Sequence, residues 1–121
     1  MYTVSVEDSF AAAHQLAHFH GKCERLHGHN YRVRVTARGR DLDDSGMIVD
    51  FGILKIALCK ITAELDHTSL NDHPAFKDGS PTAERIARFV FDRLAKQVPA
   101  GAVSMVEVFE TERTKAAYIP D

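Results

Sequence analysis

His27-Gly28-His29 sets two imidazoles at i and i+2, and on an extended segment such side chains point to the same side and can grip one ion. An H-x-H pair alone is also an ordinary polar strand end. Here His14 supplies a third imidazole just past an earlier extended segment, and the chain carries seven histidines in 121 residues. Three neutral nitrogen ligands without a thiolate suit zinc, and a three-ligand shell leaves a fourth position for water or substrate, as catalytic zinc requires. Cys23 lies between Lys22 and Arg25, whose charges favour its thiolate. It reads as a proton acceptor, as a fourth metal ligand that would close the site, or as a small packed residue. In Asp66-His67 a carboxylate can fix the tautomer of an imidazole for proton transfer, although the same dipeptide also reads as a helix-end cap followed by a solvated histidine. Glu107 and Glu110 are an odd number of positions apart and so fall on opposite faces of one strand. Glu110, at the strand end, can accept two hydrogen bonds from an amino-pyrimidinone edge or stand exposed there, and Glu107 goes to the outer face. Cys59 reads as a core residue of a helix, and His18, His20 and His73 as surface or supporting groups.

The elements that must position these groups follow from periodicity. Tyr2 to Val6 and Tyr31 to Thr36 alternate apolar and polar residues, the period of half-buried strands. His18 to Leu26 has little periodicity and reads as a loop. Phe51, Leu54, Leu58, Ile61 and Leu65 recur at helical spacing after Asp50, a favourable N-cap. Ser80-Pro81 predicts an N-cap and first helical residue for a second helix whose apolar face carries Ile86, Phe89, Val90 and Leu94. Val103 to Thr111 and Lys115 to Ile119 predict a closing hairpin. This order predicts an α+β fold, a four-stranded antiparallel sheet with two helices on one face. Arg32 and Arg34 then lie on the second face, which is either solvated or lines a polar tunnel formed by oligomerisation. Open edges on so small a sheet favour pairing with other subunits.

Composition narrows the class of protein. With 45% hydrophobic and 26% charged residues, the chain is an ordinary globular sequence, and its length predicts a single domain over 1–121. A net charge of −2 offers no general basic field for nucleic acid. Apolar runs are too short to span a membrane, and Glu7 and Asp8 stand where a leader would be apolar, so a cytoplasmic protein with free thiols is expected.

Four segments, in order, resemble those of the family of 6-pyruvoyltetrahydropterin and 6-carboxytetrahydropterin synthases across nearly the whole chain. They are Phe10-Ala11-Ala12-Ala13-His14, Cys23-Glu24-Arg25-Leu26-His27-Gly28-His29-Asn30-Tyr31, Leu65-Asp66-His67-Thr68-Ser69-Leu70-Asn71 and Phe109-Glu110-Thr111. The resemblance implies Zn2+ on His14, His27 and His29, Cys23 as general base, Asp66 and His67 as proton relay, and Glu110 on the pterin ring. It also implies a tunnelling fold (T-fold), in which three subunits close a barrel and two barrels stack into a homo-hexamer with sites between subunits. Only Glu24-Arg25-Leu26 separates Cys23 from His27, a short interval that resembles the queuosine-pathway branch. That branch implies the conversion of 7,8-dihydroneopterin triphosphate to 6-carboxy-5,6,7,8-tetrahydropterin, with release of acetaldehyde and triphosphate. Lys22, Arg25, Arg113 and Lys115 are candidates for holding the triphosphate. Two other readings are a 6-pyruvoyltetrahydropterin synthase, which retains the carbon chain, and a zinc-stabilised binding module without turnover.

Overall fold

The structure, a computed structural model, describes residues 1–17 and 25–121; the predicted loop falls largely in the interval between them, as do His18, His20, Lys22 and Cys23. The expected first two strands are present and longer than their alternating cores. Strand β1 spans Tyr2–His14 and β2 spans His27–Gly39. They pair antiparallel in unbroken register from Tyr2 opposite Gly39 to His14 opposite His27. Strand β3 is the two-residue Thr68–Ser69, β4 is Val103–Phe109 and β5 is Lys115–Tyr118. The sheet order is β3-β1-β2-β4-β5, so it has five strands rather than the expected four. The additional strand runs parallel to β1 at Ala12 and Ala13 and is too short to leave a period in the sequence. The predicted hairpin is β4 and β5, paired from Val106 opposite Tyr118 to Phe109 opposite Lys115.

Helix α1, Phe51–Leu65, starts where Asp50 accepts a hydrogen bond from the Gly52 amide at 2.8 Å, as the N-cap expectation requires. Leu54, Leu58, Ile61 and Leu65 are buried, but Phe51 and Cys59 are exposed. Cys59 is therefore not a core residue: it sits opposite the buried stripe on the helix, where an apolar side chain meets solvent. Helix α2, Ala83–Ala95, also corrects an expectation. Its N-cap is Thr82, whose hydroxyl accepts from the Arg85 amide, and Pro81 precedes the cap instead of opening the helix. Ser80 accepts from the Ala17 amide at 2.8 Å instead. Ile86, Val90 and Leu94 are buried as predicted.

Both helices pack on the face formed by Val6, Phe10, Tyr31, Val33, Val35, Val106 and Val108. Burying that many branched and aromatic side chains, at roughly 1.5–3 kcal/mol each, is the main favourable term holding helices to sheet. The second face is charged: Glu7 meets Arg34 at 2.6 Å and Arg32 at 3.8 Å, and Arg32 stacks 4.1 Å above the Phe109 ring. Glu107 belongs to this outer face, as predicted, yet it is only 3% exposed because Arg34 and Lys115 cover its carboxylate.

Candidate metal centre

Strand register brings the three histidines together. His14 is opposite His27, and Ala12 is opposite His29, so the three imidazoles share the helix-covered face at one end of the sheet. His14 Nε2 lies 3.0 Å from His27 Nε2, which lies 3.1 Å from His29 Nε2. The rings meet nearly edge to face, with interplanar angles of 71°, 81° and 90°. Their far sides decide what these close approaches mean. His14 Nδ1 is 2.9 Å from the Pro81 carbonyl, and His27 Nδ1 is 2.8 Å from the Arg25 carbonyl. A carbonyl only accepts, so both Nδ1 atoms carry the proton, and in the neutral rings both Nε2 atoms present lone pairs. Two lone pairs at 3.0 Å repel unless a cation lies between them. Nitrogen ligands at tetrahedral angles around zinc stand about 3.3 Å apart for bonds of roughly 2.0–2.1 Å, so the cluster has the composition of a three-histidine zinc site, with two of its nitrogen pairs near that spacing and all three atoms within 4.8 Å. The backbone carbonyls behind two of the rings are the usual outer support of metal-bound imidazoles. These three residues can hold a metal ion.

Glu110 follows the end of β4 and faces the same space. Its carboxylate stands 3.7 Å from His14 Nε2 and 3.9 Å from His29 Nε2, farther than the imidazoles stand from one another. It also lines an adjoining cavity of about 320 Å³ with Leu16, Thr82, Glu84 and Thr114. Tyr31 lies under the centre, stacked on Phe10 at 4.8 Å and edge-on to His14 and His29. Burial, and then the charge of Glu110, push its phenol well above the usual tyrosine range. Sequence reading missed Tyr31 because a tyrosine alternating with valines looks like core.

Asp66 and His67 do touch: Asp66 Oδ2 is 2.8 Å from His67 Nδ1. Asp66 is at once the C-cap of α1 and the acceptor of the Ala11 amide at 2.8 Å. That amide, and then the His67 ring, hold its carboxyl below the ordinary aspartate range. His67 has φ 57° and donates its amide to the Ala11 carbonyl, while its ring is largely exposed. The left-handed backbone, costly for a residue with a Cβ, turns the chain sharply from α1 into β3. His67 and His29 both line an open groove of about 470 Å³ along the end of β1 and β2. The chain leaving His14 is held by Asn71, whose amide side chain bonds both the amide and the carbonyl of Gln15 at 2.7 and 2.8 Å.

The remaining candidates separate. Cys23 and Lys22 lie outside the described residues. Lys115 is engaged by Glu107, and Arg113 and Arg25 are exposed. His73 is a structural group, 2.6 Å from Glu64, which Arg93 also grips.

A family model described as 6-pyruvoyl tetrahydropterin synthase matches residues 3–121. A 6-carboxy-5,6,7,8-tetrahydropterin synthase of Synechocystis sp. is 42% identical over 98% of this chain and 93% of its own. The 6-pyruvoyl tetrahydrobiopterin synthase of Homo sapiens is 35% identical over 95% and 89%. Among solved structures, the 6-pyruvoyl tetrahydropterin synthase of Caenorhabditis elegans superimposes with a TM-score of 0.83 at 25% identity, covering 99% of this chain and 96% of that one. Similarity of both sequence and architecture over almost the full length places this α+β chain among the tunnelling folds, and it belongs to the 6-pyruvoyl tetrahydropterin synthase family.

Proposed function

We propose that this chain is a zinc-dependent carbon–carbon lyase that converts 7,8-dihydroneopterin triphosphate and water to 6-carboxy-5,6,7,8-tetrahydropterin, releasing acetaldehyde and triphosphate. The observation that carries the reading is the convergence of three Nε2 atoms beside the Glu110 carboxylate. Relatives named 6-carboxy-5,6,7,8-tetrahydropterin synthase, at 42% identity in Synechocystis sp. and 36% in Bacillus subtilis, support this choice of product. The short interval between Cys23 and His27 supports it too.

His14, His27 and His29 would hold the zinc, which when bound acts as a Lewis acid on the side-chain hydroxyls of the substrate. Glu110 accepts two hydrogen bonds from the amino-pyrimidinone edge and so fixes the ring against the metal centre. Cys23, as thiolate, takes the carbon-bound proton beside the hydroxyls. His67 returns a proton: Asp66 accepts a hydrogen bond from His67 Nδ1–H, which leaves His67 Nε2 as the exchanging atom. Three such subunits close a barrel and two barrels form a hexamer, with the charged face of the sheet lining the tunnel.

The test is incubation of the purified, zinc-loaded protein with 7,8-dihydroneopterin triphosphate and identification of products by mass. Acetaldehyde with the 6-carboxy product is expected. Triphosphate release with the carbon chain retained would make the protein a 6-pyruvoyltetrahydropterin synthase, as its human relative is named. Zinc binding with no turnover would leave a binding module.

A further inference from the structure

Tyr31 is fully buried, and its hydroxyl has no hydrogen-bond partner among the described residues. Leaving a hydroxyl so placed costs roughly 1–3 kcal/mol. The oxygen therefore needs an explanation other than packing. Arg32 pairs with Phe109, so one step further along the ladder Tyr31 stands across from Glu110, on the same face of the sheet. The Glu110 carboxylate stands 3.7 and 3.9 Å from the Nε2 atoms of His14 and His29. His14 Nε2 presents a lone pair, and His29 Nε2 does so as a ligand, so in the metal-loaded protein neither gives the carboxylate a proton; the buried donor across the ladder is the Tyr31 hydroxyl.

We propose that Tyr31 is a positioning residue for Glu110: in the metal-loaded protein its hydroxyl donates to the Glu110 carboxylate and fixes the orientation in which that carboxylate receives a pterin ring. The inference rests on the proposed role of Glu110, and it assigns Tyr31 a contact that acts only through it.

The experiment is a double-mutant cycle on the zinc-loaded protein with Tyr31→Phe, Glu110→Gln and the pair, read by fluorescence titration with neopterin and by the melting temperature of the metal-free proteins. Tyr31→Phe should weaken neopterin binding roughly 10-fold, the effect of losing one hydrogen bond to a charged group. It should weaken it no further in the Glu110→Gln background, and it should leave the metal-free melting temperature unchanged or raised, because it removes an unpartnered buried hydroxyl. Equal weakening in both backgrounds, no weakening in the wild-type background, or a fall in melting temperature with Tyr31→Phe would each overturn the assignment. Failure of the wild-type protein to bind neopterin would instead sink the pterin reading of the site.

Discussion

The His14 Nδ1 atom donates to the Pro81 carbonyl at 2.9 Å, which ties an imidazole of the metal cluster to the residue just before the N-cap of α2. A cation on His14 Nε2 strengthens the Nδ1–H donor on the other side of the same ring, so occupancy of the centre is coupled to order at the start of α2. Chelation should lower the melting temperature, and amide exchange should accelerate first in Ala83 to Ile86. Unchanged exchange there after metal removal would break the proposed coupling.

His27 lies at the middle of the cluster, within 3.0 and 3.1 Å of the other two Nε2 atoms. Purified protein should carry about one zinc per chain. His27→Ala should lose most of it, as measured by elemental analysis. Full retention of zinc by that variant would defeat the ligand set.

Cys23→Ala separates three roles with one preparation. As general base, the cysteine can be removed with zinc content, melting temperature and oligomer preserved while turnover drops by a factor on the order of 10² to 10⁴. Loss of zinc together with stability would make it a ligand, and a fall in activity only in step with stability would make it packing. Acetaldehyde release, zinc content and melting temperature read all three.

Glu64 accepts from Arg93 and from His73, and those two hydrogen bonds hold its carboxyl below the ordinary glutamate range. A depressed folded value means a contribution that is complete above the unfolded pKa and lost as pH falls through the folded one. The group is partly exposed, so solvent screening keeps the contribution small, at most about 1 kcal/mol. Glu64→Gln should therefore lower the melting temperature slightly at neutral pH and converge with wild type in acid. Parallel curves down to the most acidic pH would remove Glu64 from the acid transition.

The strand edges of β3 and β5 and the charged second face favour assembly. Light scattering at micromolar concentration should give a mass above that of a trimer. A monomer would count against the barrel arrangement.

Short-range chemistry made much of this protein readable from its sequence. Alternation along Tyr31 to Thr36, the stripe from Leu54 to Leu65, the Asp50 cap and the same-side placement of His27 and His29 depend on residues a few positions apart, where backbone geometry sets side-chain direction. Whether His14 reaches His27 depends on the β1–β2 register, which a single-residue slip would reverse; the tertiary structure decided it by burying Val6, Phe10, Val33 and Val35 on one face. Long-range bonds likewise decided the fate of Ser80 and Pro81. Their local pattern suits a helix start, but Ser80 accepts from the Ala17 amide and the Pro81 carbonyl accepts from His14 Nδ1–H, so Thr82 is the N-cap instead. The exposure of Cys59 and the buried hydroxyl of Tyr31, without a partner among the described residues, were likewise decided in three dimensions, because both depend on what packs across from them rather than on their neighbours in the chain.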